Sequence, residues 1–199
     1  MKSHPIELFF PIACPFCGTL RARESVLKRG CCPDCAETHL HPAGKAVLNL
    51  PTFADSCIAA VCCSYYAGPV RTAVRAFKFN EKNYLGKAFA GILRETLFQN
   101  HLLREIDLLV PVPISEERFR QRGYNQAALM ASELSRRTGI EMKEPLLRRV
   151  QGPAQSALSR TDRIVDTADR FTAAPEAAAL VRGRAVLLID DVLTTGSTI

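Results

Sequence analysis

Two sets of residues in this chain have the types and spacing to do chemistry. The first is cysteine. Cys14, Cys17, Cys32 and Cys35 form two Cys-x2-Cys pairs with fourteen residues between them. Each pair grips a soft cation from a tight turn, and two pairs close a tetrahedron of thiolates. Pro15 and Pro33 stiffen the turns, and Gly18 supplies the positive φ that such a turn needs. A closed four-sulfur site leaves no open coordination position, so the expected role is a structural zinc. Cys31 is an alternative to Cys32, although Cys-x3-Cys breaks the symmetry of the pairs; His39 and His41 are further candidate ligands. The second set lies at the other end. Val186–Ile189 reads as a fully buried strand, followed by Asp190 and Asp191 and then by Thr194, Thr195, Gly196, Ser197 and Thr198. Exposed amides and hydroxyls in such a loop cradle a phosphate, while the carboxylates accept from ribose hydroxyls and attract a divalent cation. The expected ligand is a sugar phosphate. No Lys follows Gly196, which excludes a Walker A loop.

The elements that must position these groups follow from periodicity. Residues 1–50 read as a zinc-ribbon or knuckle module with its linker, too short to build a core without metal. Residues 51–199 read as a second domain. It opens with a strand over Cys57–Tyr66, in which Cys57, Cys62 and Cys63 are small core residues. Gly68-Pro69 starts a helix whose apolar face is Val70, Ala73, Val74 and Phe77. A second helix runs from Tyr84 to Gln99, and Ile106–Val112 is the next strand. That strand breaks at Pro-x-Pro over a basic loop carrying Arg118, Arg120 and Arg122, whose planar forks suit pyrophosphate oxygens. A helix over Asn125–Arg137 follows, stopped by Gly139. Residues 148–170 form a polar, basic excursion with Gln155, Arg160 and Arg163 as candidate phosphate contacts. Strands alternating with helices predict an α/β fold with a mainly parallel sheet and ligands at the carboxyl ends of its strands.

Composition narrows the setting. The chain is 47% apolar and 23% charged, with 26 Lys and Arg against 20 Asp and Glu. Residues 111–163 hold ten of those bases and six of the acids, +4 of the net +6, which suits phosphorylated ligands or nucleic acid. No run of eighteen apolar residues predicts a transmembrane helix, and the first fifteen residues lack a signal-peptide core. A cytoplasmic location is expected, where stable disulfides are rare and eight cysteines point to metal or to core packing.

The acid pair followed by Thr-Gly after a short apolar strand resembles the phosphoribosyl-pyrophosphate (PRPP) signature of type I phosphoribosyltransferases. The four-cysteine module, the Tyr65 to Gly68 turn with downstream Lys78, Pro111-Val112-Pro113, the RGYNQA segment from Arg122, Gln155, Arg163 and LLIDDVLTTGST together resemble the ComF/GntX family of competence-related, phosphoribosyltransferase-like proteins. The resemblance covers nearly the whole chain. It implies a type I phosphoribosyltransferase-like domain behind a small zinc module. It further implies PRPP with magnesium as ligand, Asp190 and Asp191 orienting the ribose, and residues 194–198 holding the 5'-phosphate. Arg118, Arg120, Arg122, Lys78 and Arg163 would then meet phosphate charge. Asp166 departs from the Asn usual at that place in the family. The helix expected after the phosphate loop, and a further strand, would fall beyond Ile199, so the second domain reads as incomplete at its C-terminus and the 199-residue chain is expected to bind PRPP weakly. Three functional readings remain open: a PRPP-dependent glycosyltransferase whose acceptor has no identifiable pocket, a non-catalytic scaffold on the same fold that meets DNA or a protein of the DNA-uptake machinery, or a regulator that binds PRPP as an effector without turnover.

Overall fold

The computed structural model describes residues 12–21, 30–40, 60–79, 82–148 and 171–193. The chain forms two compact units, Met1–Leu103 and Arg104–Ile199.

In the first unit, strands β1 (Ile12–Ala13) and β2 (Leu20–Arg21) pair antiparallel, Ile12 opposite Arg21 and Ala13 opposite Leu20. Helix α1 (Pro33–His39) starts on Cys32, whose extended backbone is a proper N-cap, with Pro33 at the position where a missing N–H costs nothing. Helices α2 (Gly68–Phe79) and α3 (Leu85–Gln99) follow. The predicted face of α2 is the buried one: Ala73, Val74 and Phe77 are buried and Val70 is partly so. Phe77 stacks on Phe89 at 5.3 Å, and Phe89 meets the edge of Phe16 at 6.4 Å. Burying a side chain the size of Phe77 stabilises the fold by roughly 2–3 kcal/mol. The cysteines and the helices share this core, with Cys14, Phe16, Cys31, Cys32, Cys35, Ala73 and Ile92 in one cluster. Residue 50, the boundary expected between module and second domain, lies outside the described residues.

The strand expected over Cys57–Tyr66 is not found in its described part. Residues 60–67 are irregular apart from a single bridge position at Cys62. Ser64 instead donates through its hydroxyl to the His39 carbonyl, tying this stretch to the end of α1.

In the second unit, β3 (Leu108–Pro111) is central and buried along its whole length. It pairs parallel with β4 (Glu141–Met142) on one side and with β7 (Val186–Ile189) on the other, from Leu108 opposite Val186 to Pro111 opposite Ile189. Between β3 and β4 run α4 (Glu116–Arg122) and α5 (Gln126–Thr138). Helix α5 packs on the sheet through Ala127, Met130, Ala131 and Leu134, and Gly139 ends it with φ +78°. Strand β5 (Leu146–Arg148) pairs antiparallel with β6 (Phe171–Ala173), and the short α6 (Ala177–Val181) leads into β7. The fold is thus α/β with a parallel three-stranded sheet, as the order of elements predicted.

Two details differ from the sequence reading. Strand β7 is not fully buried: Val186 is 40% exposed and only Ile189 is sealed, because among the described residues β7 has β3 on one side alone. The basic loop after β3 contains a helix. Ser115 caps α4 by accepting from the Arg118 N–H, Glu116 and Glu117 sit in its first turn, Arg120 and Arg122 in its last, and Gly123 closes it with φ +74°. Each choice favours a helix, by cap, macrodipole and left-handed stop in turn.

Candidate functional site

The first site is the sulfur cluster. The β1–β2 hairpin carries Cys14 and Cys17 on its turn. The Cys14 N–H donates to the Thr19 carbonyl at 2.9 Å, and the Gly18 N–H to the Cys14 carbonyl at 2.9 Å, with Gly18 at φ +71°. Cys32 and Cys35 do not sit on a second turn of that kind. They occupy the N-cap and first turn of α1, where the helix dipole favours thiolates. The four sulfurs lie within 4.8 Å of one another, and Cys17 Sγ is 3.8 Å from Cys32 Sγ. A tetrahedral zinc with bonds of about 2.3 Å spaces its sulfurs about 3.8 Å apart, so this donor set fits a structural metal of that kind. The Cys32 N–H donates to Cys14 Sγ at 3.5 Å, a contact that orients the ligand atom.

Electrostatics support the same fit. The Thr19 side chain and backbone hold the Cys17 thiol down at about 6. Burial pushes Cys32 and Cys35 up; the neighbouring thiols add to the rise at Cys35, whereas at Cys32 the bonds to Cys35 work against it. Buried sulfurs whose ionisation is opposed by desolvation gain from a cation among them. Cys31 is fully buried but is not among the four; His39 packs edge-on against Phe16 at 6.5 Å rather than joining them. Gly30 lies where the chain presses on α3: a Cβ there would sit 1.9 Å from the Ala88 carbonyl oxygen, and φ is +83°.

The second site is the carboxyl end of the sheet. The Val112 N–H donates to the Ile189 carbonyl at 2.9 Å, which sets the segment after β3 beside the acid pair after β7. Asp190 is exposed and accepts from the Asp191 N–H at 2.8 Å; Asp191 is half-buried. Arg122 is half-buried and sits in the fields of both Arg118 and Asp191. Burial and the like charge of Arg118 lower its pKa, and Asp191 draws it back up; the guanidinium stays charged throughout.

The three arginines do not converge. Arg118 and Arg122 stand one turn apart on one side of α4, whereas Arg120 is on the outer side, 3.7 Å from Glu116 in an exposed pair. Lys78 belongs to the first unit, on α2. Residues Thr194, Thr195, Gly196, Ser197 and Thr198, together with Gln155, Arg160, Arg163, Asp166, His41 and Cys57, lie outside the described residues.

Two residues of the RGYNQA segment take roles here that the sequence reading did not assign to them. Asn125 caps α5 by accepting from the Ala127 N–H at 3.0 Å, and its amide donates to the Val112 carbonyl at 3.0 Å. Gln126 is 1% exposed and accepts from Arg122 Nη1 at 3.0 Å. An Asn before a helical run is a readable cap signal. Nothing in the sequence marks Gln126 as buried.

Competence protein F of Haemophilus influenzae is 28% identical over 96% of this chain and 89% of its own length. The DNA utilization protein YhgH of Escherichia coli is 29% identical over 84% of this chain and 74% of its own. Competence protein ComFC of Bacillus subtilis is 31% identical over 67% of this chain and 52% of its own. No family model and no solved structure matches the chain. Among the described residues no helix is long and apolar enough to cross a membrane.

Proposed function

We propose that the chain is a member of the ComF family of competence proteins, and that it binds PRPP with magnesium at the carboxyl end of its parallel sheet, in the service of competence or DNA utilization. The observation that carries the reading is that groups of opposite charge are brought to one end of the sheet. The Val112 N–H bond to the Ile189 carbonyl brings the segment after β3, which carries Arg122, to the same sheet end as Asp191 after β7, which is where an open α/β fold takes its ligands. A phosphoribosyl ligand needs both signs, carboxylates for ribose hydroxyls and a guanidinium for phosphate oxygens.

In the transferase form of this proposal the bond from ribose carbon 1 to pyrophosphate breaks, and an acceptor's lone pair forms the new bond at carbon 1. The acceptor's proton leaves to solvent. Asp190 and Asp191 orient the ribose as positive charge develops on the ring. Arg122, with Arg118 beside it, stabilises charge on the departing pyrophosphate. Magnesium, when bound, neutralises pyrophosphate. The four thiolates hold a structural zinc that folds the first unit and takes no part in the reaction.

An NMR titration of the protein with PRPP and magnesium tests this. The expected outcome is a magnesium-dependent response at residues 110–126 and 188–193 that is lost in the Asp190→Asn, Asp191→Asn double variant. An unchanged response in that variant, or none at millimolar PRPP, overturns the proposal.

A further inference from the structure

We infer that Gln126 is a positioning residue: from its buried place at the start of α5 it fixes the guanidinium of Arg122 toward the sheet end, and so sets how an anion is held there. The second half of this inference rests on the phosphoribosyl reading; the first does not.

Gln126 lies at the first position of α5 and is 1% exposed. Burying an amide costs roughly 1–3 kcal/mol unless its hydrogen bonds are met, so a purely structural need at this position would be served by an apolar residue. The Gln126 Oε1 accepts from Arg122 Nη1 at 3.0 Å. Arg122 ends a short helix in which no side chain is buried, and Gly123 turns the chain sharply after it. A charge-assisted bond to a fixed, neutral acceptor restrains that arginine without cancelling its charge. A carboxylate there would hold the guanidinium equally well but neutralise it toward an incoming phosphate. The acceptor is itself anchored. Asn125, immediately before it, caps α5 and is tied to the Val112 carbonyl at the end of β3. The chain of support thus runs from β3 through Asn125 and Gln126 to Arg122.

The test uses the whole chain with Gln126→Leu and Gln126→Glu, read in two ways. In the ligand-free protein, arginine side-chain NMR is expected to show Arg122 Nη protons in slow exchange. That signal should be lost in Gln126→Leu and kept in Gln126→Glu. In titrations with magnesium pyrophosphate, Gln126→Leu should weaken binding about tenfold, the factor carried by one charge-assisted hydrogen bond. Gln126→Glu should weaken binding despite keeping Arg122 ordered. Adding Gln126→Leu to Arg122→Ala should cost nothing further, because the effect of Gln126 passes through Arg122. An Arg122 signal unchanged in Gln126→Leu overturns the positioning role. A Gln126→Leu penalty that persists in full in the Arg122→Ala background overturns it as well, assigning Gln126 a merely structural part. An ordered Arg122 with no pyrophosphate response in the parent protein overturns the phosphoribosyl reading and the anion half of this inference, and supports the hold of Gln126 on Arg122.

Discussion

The two sites are built in opposite ways. The sulfur cluster takes its ligands from residues 14–35, a hairpin turn and the first turn of a helix, each placing two cysteines by local backbone geometry. The sheet-end site joins Arg122 to Asp191 and needs the β3–β7 pairing to exist before either residue means anything. A site made from short-range spacing is legible as a motif. A site made from long-range pairing is legible only in its parts.

The strongest way to break this contrast is to remove the metal. A structural metal in four thiolates contributes on the order of 10 kcal/mol to folding. Chelation, or Cys14→Ser with Cys35→Ser, is expected to abolish amide protection over residues 60–79 and 82–99 in hydrogen exchange while the β3–β7 ladder keeps its own. Persistent protection of α2 and α3 without metal would mean that the cysteines are passengers on a core that stands alone.

Gly30→Ala attacks the same unit without touching a ligand. The new Cβ would fall 1.9 Å from backbone oxygen of α3 at a backbone angle that disfavours it. A loss of about 3 kcal/mol or more in denaturant unfolding is expected. A neutral result would show that the cysteine turns are not seated on α3.

Asn125→Ala tests the second site. It removes a helix cap and the tether to Val112 together, for an expected loss of about 1–2 kcal/mol in stability. PRPP binding should fall with it.

Acid provides a smaller probe. Glu133 accepts from Arg136 and Arg137 on α5, and chiefly the Arg136 bond holds its carboxyl down at about 2. A depressed folded pKa stabilises the fold above the unfolded value, and that contribution fades as pH falls from about 4.5 to about 2. Because Arg136 is itself exposed, the screened effect should be about 1 kcal/mol. Glu133→Gln should flatten that part of the stability profile, and an unaltered profile would refute the assignment.

Smallest of all, Arg120→Ala should change stability by less than about 0.5 kcal/mol, since its partner Glu116 is as exposed as itself. A larger loss would mean that α4 is braced on its outer side.

Much of this molecule was legible in the sequence, for reasons that differ by element. The stripe of α2, the stop of α5 at Gly139 and the four ligands of the cluster are consequences of local spacing, and the structure has them where the pattern put them. Helix α4 was legible in principle, because Ser115, two glutamates and Gly123 spell its ends. The arginines drew it toward a loop reading. The described part of the run expected as a strand, residues 60–66, misled because apolar composition alone does not distinguish a strand from a segment pinned by its side chains.

The sequence by itself determined which residues can bind what: thiols at metal spacing, carboxylates after an apolar strand, arginines after another. Tertiary structure alone decided which of them meet. Register between β3 and β7 brings the segment that carries Arg122 to the same sheet end as Asp191. Burial turned Gln126, a member of the RGYNQA segment with no assigned role, into the acceptor that holds Arg122. The physical reason is that spacing along a chain fixes only neighbours within a turn or so, whereas a charge's partner and an amide's burial depend on strands that meet across some eighty residues of sequence, as Leu108 and Val186 do.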